Sequence, residues 1–216
     1  MNTEFARRQM VGQQIRTFEV SDASVLEVLG ELPREEFVPA GFRQLAFADV
    51  KIPLNHGQFM MTPNVEGRLL QMLAPRKDDD VLEIGTGSGF LCACLARLAR
   101  TVTSVDIFPD FTREAAVTLK SVGIENATLA TMDATKALPP GTFDAIAVTA
   151  SCPVFDARFF DALKSGGRLF VIVGSPPVMD ARLITRESDG SQRVTSDFET
   201  NVLPLINAAA PPAFRF

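Results

Sequence analysis

Glu83, Gly85, Gly87 and Gly89 stand at alternate positions in the run Val81-Leu82-Glu83-Ile84-Gly85-Thr86-Gly87-Ser88-Gly89-Phe90. An apolar strand that closes on an acid and then on a Gly-x-Gly-x-Gly turn lets the backbone approach a bound ligand, because glycine has no Cβ in the way. A helix-compatible run from Leu91 to Leu98 follows. The pattern points to a nucleotide-like cofactor. Further along, Asp106, Asp133 and Thr149 fall where later strands should end, with Ile107 and Ala134 next to the two acids. In an open parallel sheet, ligands bind outside the carboxyl ends of the strands. An acid ending the second strand can accept hydrogen bonds from both ribose hydroxyls. An acid after the third can accept from an adenine amino group.

Two cofactors compete for such a site. NAD asks for Gly-x-Gly-x-x-Gly, with its pyrophosphate on the helix N-terminus. Here the sixth position is Phe90. S-adenosylmethionine carries an ammonium and a sulfonium and no phosphate, so an acid such as Glu83 beside the turn suits it better. A turn that binds nothing is the third possibility. The expected cofactor set is Glu83, Gly85, Thr86, Gly87, Gly89, Asp106, Ile107, Asp133, Ala134 and Thr149. Glu83 could touch the ligand or fix the turn through its backbone N–H groups. Met60 and Met61 could line the site as soft apolar groups or simply pack.

The rest of the inventory narrows the chemistry. The chain has 3 cysteines, 1 histidine, no tryptophan and no tyrosine, against 17 phenylalanines. Cys92 and Cys94 point in different directions on a predicted helix. Cys152 stands alone, so reduced and partly buried thiols are expected. No metal site is expected, since His56 lacks companion ligands. A Ser-His-Asp hydrolase would need His56 and a Gly-x-Ser-x-Gly elbow that is absent. A net charge of -5 supplies no overall basic field for nucleic acid or anionic lipid. No apolar run approaches the roughly 20 residues of a membrane span. The opening Met1-Asn2-Thr3-Glu4-Phe5-Ala6-Arg7-Arg8 has no apolar signal-peptide core behind its basic pair, which predicts a cytoplasmic protein.

The elements that must hold the turn follow from periodicity. From Asp80 onward, strand and helix patterns alternate. Strands are expected at 81–84, 102–106, 128–131, 145–149 and 168–173, and helices at 90–99, 110–122 and 155–164. This alternation predicts a Rossmann-like, doubly wound α/β fold with a mostly parallel sheet. Strands at 182–187 and 193–199, joined through Ser188-Asp189-Gly190-Ser191, predict a C-terminal antiparallel hairpin. An N-terminal helical extension precedes the sheet. It begins with an amphipathic helix at 3–16, with Phe5, Met10, Val11 and Ile15 as its apolar candidates. Ser21 is the expected N-cap of a second helix carrying Val25, Leu26, Val28 and Leu29. Residues 47–61 read as a loop. Thr62 and Pro63 form an N-cap and first-turn proline of a helix running to about Leu73, with Leu69, Leu70 and Leu73 inward. The tail at 208–216 is expected to be irregular. Residues 1–75 should form the helical extension and substrate lip, and residues 76–216 the cofactor-binding unit, together one structural domain.

Across nearly its whole length the chain resembles the protein-L-isoaspartate O-methyltransferase family. The resemblance rests on Met10-Val11-Gly12-Gln13-Gln14-Ile15-Arg16, Pro33-Arg34-Glu35-Glu36-Phe37-Val38-Pro39, Leu45-Ala46-Phe47-Ala48-Asp49, Ile52-Pro53-Leu54 and His56-Gly57-Gln58. The glycine turn, Phe143-Asp144-Ala145-Ile146 and Leu163-Lys164-Ser165-Gly166-Gly167-Arg168-Leu169 complete it. The resemblance implies S-adenosylmethionine as cofactor, Gln58 among its contacts, and a protein or peptide carboxylate as acceptor, methylated in the repair of abnormal aspartyl residues. A carboxylate is already ionised at pH 7, so this reaction needs alignment and desolvation rather than a base. His56 is accordingly expected to be a loop residue. The chain departs from the family where the acceptor binds. The family has Thr-Ile-Ser-x-Pro after Gly-Gln, whereas this chain has Phe59-Met60-Met61-Thr62-Pro63. Met61 takes the place of the active-site serine and cannot donate a hydrogen bond, while Thr62 stands beside it. Ser175-Pro176-Pro177-Val178-Met179-Asp180 replaces a glycine-rich turn with a glutamine, and Asn201-Val202-Leu203-Pro204 replaces an Arg-Phe-Val-Pro segment. Three functions follow as expectations: isoaspartyl methylation, methylation of a more apolar acceptor, or cofactor binding without catalysis. Oligomeric state is not legible in these residues.

Overall fold

A computed structural model describes residues 3–211. Its centre is a seven-stranded sheet in the order β5-β4-β3-β6-β7-β8-β9. The strands are β3 (Asp80–Ile84), β4 (Thr101–Asp106), β5 (Ala127–Thr131), β6 (Phe143–Cys152), β7 (Leu163–Ser175), β8 (Val178–Arg186) and β9 (Gln192–Thr200). Pairing is parallel from β5 through β7 and antiparallel among β7, β8 and β9. Helices α4 (Phe90–Leu98), α5 (Pro109–Ser121) and α6 (Ala157–Asp161) follow the first, second and fourth of these strands. The strand order reverses between β3 and β6, which is where such sheets open a ligand crevice. This is the expected doubly wound α/β fold. The antiparallel part is larger than a single hairpin, because β7 runs to Ser175 and turns directly into β8. The expected helix at 155–164 shrinks to α6, and its last positions begin β7 instead.

Alternation along the central strands builds two cores. Leu82 and Ile84 of β3 pack with Ile146 and Val148 of β6 on one face. Val81, Ala145 and Ala147 face the other layer, with the N-terminal helices and α4. A strand sends successive side chains to opposite faces, so Glu83 joins the Val81 side and is fully buried.

The N-terminal segment packs into that second layer. Its first helix is α1 (Thr3–Gln9), passing into a π-helical stretch at Met10–Ile15 and a 3-10 turn at Arg16–Phe18. Met10 and Ile15 are buried, but Phe5 is exposed, so the apolar side is narrower than its spacing predicts. Asp22, not Ser21, caps α2 (Ala23–Glu31), accepting from the N–H groups of Ser24 and Val25. A carboxylate one residue nearer the helix makes the stronger, charge-assisted cap. Thr62 does cap α3 (Pro63–Leu73), with Oγ1 accepting from Val65 N at 3.5 Å. Leu69, Leu70 and Leu73 are fully buried. The expected loop at 47–61 holds a small antiparallel ribbon, β1 (Ile52–Pro53) with β2 (Phe59–Met60), closed by a 3-10 turn at Asn55–Gly57. Of the irregular tail, residues 212–216 lie outside the described residues. Among the described residues no helix is long and apolar enough to cross a membrane.

Candidate active site

The glycine turn sits at the switch point and is tied to both neighbouring strands. Gly85 N donates to the Val105 carbonyl at 2.8 Å. Thr149 Oγ1, from β6, donates to the carbonyls of Ile84 and Gly85 at 3.0 and 2.9 Å. A Cβ on Gly85 would stand 2.2 Å from that Oγ1, and its φ of 99° is left-handed. Gly89 serves a different purpose. It caps α4, and a Cβ there would meet Ala115 of α5 at 2.8 Å, so it allows close packing of α4 against α5.

Above the turn lies a cavity of about 290 Å³. One wall is made by Gly85, Gly87, Asp106, Ile107, Asp133, Ala134 and Thr149, which the tertiary structure brings together from the ends of four strands. Asp106 is 8% exposed. Its Oδ2 accepts from Gly87 N at 2.9 Å and its Oδ1 from Phe108 N at 3.0 Å. Burial raises its carboxyl above the ordinary range, against the pull of those backbone N–H groups. Each oxygen retains acceptor capacity facing the cavity. Asp133 is more fully engaged. Its oxygens accept from Thr135 N and Oγ1, from Asn207 Nδ2 at 2.9 Å and from Lys136. The Thr135 hydroxyl above all holds its carboxyl down at about 2.

Glu83 and Thr86 lie beneath this wall rather than on it, as Gly89 also does. Glu83 Oε2 accepts from Ser104 Oγ at 2.5 Å, and Ser104 Oγ lies 2.7 Å from Thr86 Oγ1. Ser104 is the cross-strand partner of Glu83 on β4. Burial pushes the Glu83 carboxyl up to about 8. The expectation that Glu83 fixes the turn through backbone N–H groups is therefore corrected. That role belongs to Asp106, whose carboxylate bonds Gly87 N, because the pleat turns Glu83 into the core. Cys92, Cys94 and Cys152 are buried free thiols, more deeply placed than expected, and burial raises all three.

The opposite wall comes from the ribbon and from the segment after β9. Gln58, Phe59, Met60, Met61 and Thr62 line it, with Lys51 and Leu54. The buried Arg34 anchors this lip. Its guanidinium pairs with Glu66 of α3, donates to the carbonyls of Ala46 and Met61 at 2.8 Å each, and lies over the Phe90 ring. His56 sits at the tip of the ribbon turn with φ 57°. Its ring stacks on Phe108 with centroids 4.0 Å apart, and Nε2 lies 2.9 Å from Asp110. The histidine thus clamps the ribbon to the start of α5.

Of the wall formed by residues 200–206, the sequence marks only residues 201–204, as a departure from the family pattern, and it gives no sign of Phe108, Phe111 or Lys51 as lining residues. The 200–206 segment has no periodic signal. It is fixed by Ser151, whose N–H and carbonyl bond the Leu203 carbonyl and the Leu205 N–H at 2.9 and 2.8 Å. Lys51 Nζ donates to the carbonyl of Asn201 at 2.5 Å, closing the ribbon onto that segment.

The donor set suits S-adenosylmethionine. Acids and carbonyls line the cofactor wall, and a Cβ at Gly85 would disturb the Thr149 bridge on which the wall depends. Comparison with known proteins agrees. The family model for protein-L-isoaspartate(D-aspartate) O-methyltransferase matches residues 6–210. A protein-L-isoaspartate O-methyltransferase of Methanoculleus marisnigri is 37% identical over 84% of this chain and 83% of its own length. Another, from Pelobacter propionicus, is 32% identical over 96% of this chain and 93% of its own. Among solved structures, a Plasmodium falciparum protein named a beta-aspartate methyltransferase, in complex with S-adenosyl-L-homocysteine, shares the fold. Its TM-score is 0.80 at 18% identity, covering 92% of this chain and 97% of that one. The chain therefore belongs to the protein-L-isoaspartate(D-aspartate) O-methyltransferase family and is an S-adenosylmethionine-dependent methyltransferase.

Proposed function

We propose that the protein methylates the carboxylate of abnormal aspartyl residues in proteins or peptides. The observation that carries this reading is that the glycine-turn wall and the 58–62 lip face one cavity. Gln58, Gly85, Gly87, Asp106, Ile107, Asp133, Ala134 and Thr149 would hold the cofactor directly. Glu83, Thr86 and Gly89 would support the turn from beneath. Met61 and Thr62 would border the acceptor. Held by these residues, S-adenosylmethionine would supply a methyl group to a carboxylate oxygen, the S–CH₃ electrons staying on sulfur as the O–CH₃ bond formed, with no proton to be moved.

What the chain contributes is alignment and a dry site. A carboxylate has an ordinary pKa of about 4 and arrives ionised, so the reaction asks for no general base. The charges of carboxylate and sulfonium cancel as the reaction proceeds. An apolar wall of Leu54, Phe59, Met60 and Met61 favours that cancellation by withholding water from the separated charges. Thr62 Oγ1 already accepts from Val65 N, though its hydroxyl hydrogen is still available for donation. His56 is held by Phe108 and Asp110 and does no proton work in this scheme. A cytoplasmic location belongs to the same reading and fits the three free thiols.

Labelled S-adenosylmethionine and an isoaspartyl peptide test it. The expected product is a base-labile methyl ester on the peptide. No ester from a protein shown to bind S-adenosylhomocysteine would overturn the assignment. The Phe59-Met60-Met61 lip supports a second reading, methyl transfer to a more apolar acceptor. Turnover of such an acceptor with none on isoaspartyl peptides would establish it.

A further inference from the structure

Among the described residues that line the cavity, two acids and one cation carry charge: Asp106, Asp133 and Lys51. The ribbon explains where the cation stands. Ile52 pairs with Met60 and Pro53 with Phe59. Continuing that antiparallel register by one residue sets Lys51 directly opposite Met61. Ile52 and Met60 are 0% and 3% exposed and face the core. Alternation places Lys51, Phe59 and Met61 on the other side of the ribbon, and all three line the cavity, as the buried Met60 also does. Facing residues on one side of an antiparallel pair have Cβ atoms about 5 Å apart. The ammonium is thus carried to the edge of the position where the family has its serine.

Its hydrogen bonding leaves it available. Lys51 Nζ donates to the Asn201 carbonyl, which uses one of its three N–H groups. No carboxylate of the described residues lies within ion-pair distance of it. A cation next to an apolar lip, paired only with a backbone carbonyl, is poised to accept an anion.

We propose that Lys51 determines acceptor specificity by receiving the acceptor's carboxylate, across the ribbon from Met61. The proposal rests on the reading that the acceptor is a carboxylate. The ammonium holds the oxygen that does not attack, because pairing the attacking oxygen would draw electron density from the new bond. Lys51 therefore lowers KM more than it raises kcat.

The test uses the full chain saturated with S-adenosylhomocysteine. It is titrated calorimetrically with an isoaspartyl peptide and with the same peptide bearing a carboxamide in place of the carboxylate. Wild type should prefer the carboxylate by about tenfold, the scale of one charge-assisted hydrogen bond, and salt should erode the preference. Lys51→Met should abolish it, and Lys51→Arg should retain most of it. S-adenosylhomocysteine affinity, measured separately, should stay within about twofold of wild type in both variants, because Lys51 bonds Asn201 and none of the residues proposed to hold the cofactor. In turnover, Lys51→Met should raise KM about tenfold with little change in kcat. Equal binding of both peptides by wild type overturns the proposal. So does a preference that survives in Lys51→Met, which would leave the lysine as a latch on residues 200–206. Carboxylate-selective binding that depends on Lys51, without ester formation, keeps the proposal and rejects methylation of that peptide instead.

Discussion

The two walls of the cavity are held by different means. The cofactor wall grows from the carboxyl ends of adjacent parallel strands. Its backbone is fixed by the ladders of β3, β4 and β6 and by bonds from Thr149 and Asp106. The opposite wall, the one proposed to border the acceptor, has no such ladder. A two-residue ribbon and an irregular segment form it, and it depends on single side chains: Arg34 under Met61, His56 on Phe108, Lys51 on Asn201. A wall that belongs to the sheet tolerates little change. A wall pinned by side chains can exchange them, and it is where this chain departs from the family pattern.

The largest expected effect tests that pinning. Glu66→Gln removes the partner of the fully buried Arg34 and, above about pH 7 where the Glu66 carboxyl is ionised, should cost about 3–5 kcal/mol of stability, the usual penalty for leaving a buried charge unpaired. Thermal unfolding measures it, and a shift near zero would mean that Arg34 holds the lip without its carboxylate. On the cofactor side, Gly85→Ala drives a Cβ into Thr149 Oγ1 at a left-handed φ. With strain of ~1–3 kcal/mol, S-adenosylhomocysteine affinity should fall on the order of 100-fold. Unchanged affinity in calorimetry would show that the turn yields more readily than its bonds imply. Asp106→Asn keeps the shape but removes the charge, so cofactor affinity should drop roughly tenfold while acceptor KM hardly moves. A comparable change in both constants would erase the distinction between the walls.

Met61→Ser works in the opposite sense. Restoring a hydroxyl donor worth about 1 kcal/mol should raise turnover of isoaspartyl peptides several-fold and leave S-adenosylhomocysteine binding alone. Should activity stay level, the remodelled Ser175–Asp180 turn or residues 200–206 become the next positions to exchange. Stability should also depend on pH. Burial raises Glu83 to about 8 and Glu66 to about 7, so the folded chain keeps protons that the unfolded chain has released. Their contribution is complete below the ordinary carboxyl range and is lost as pH rises through about 7 and 8. Asp133, held down at about 2, contributes oppositely and loses its share only as pH falls through that value. A plot of Tm against pH from 5 to 9 should therefore decline, and Glu83→Gln should flatten it. Parallel curves for variant and wild type would remove Glu83 as the source.

How far the residues could be read follows the same division. The parallel strands, the glycine turn and the acids at the strand ends were legible because alternation and turn chemistry are local. Thr62 and Pro63 were legible for the same reason, since a cap acts on its own first turn. Asp22 displaced Ser21 by a single position, within the reach of a local competition. Glu83 is the exception among the motif residues. Its place in the motif is obvious, yet the pleat carries its side chain away from the cavity and leaves the bond to the turn with Asp106. Lys51 has no local signature, and the 201–204 segment is marked by resemblance alone, because their neighbours lie far away in the chain.

Sequence alone determined the family, the S-adenosylmethionine chemistry and the doubly wound sheet, since each is written in short-range pattern and motif. Tertiary structure decided which of those residues share a cavity and which face away from it. It also decided that Lys51 and Met61 line the same cavity. Such choices depend on strand pairing and register between distant segments, and burial and charge act only after those segments have met.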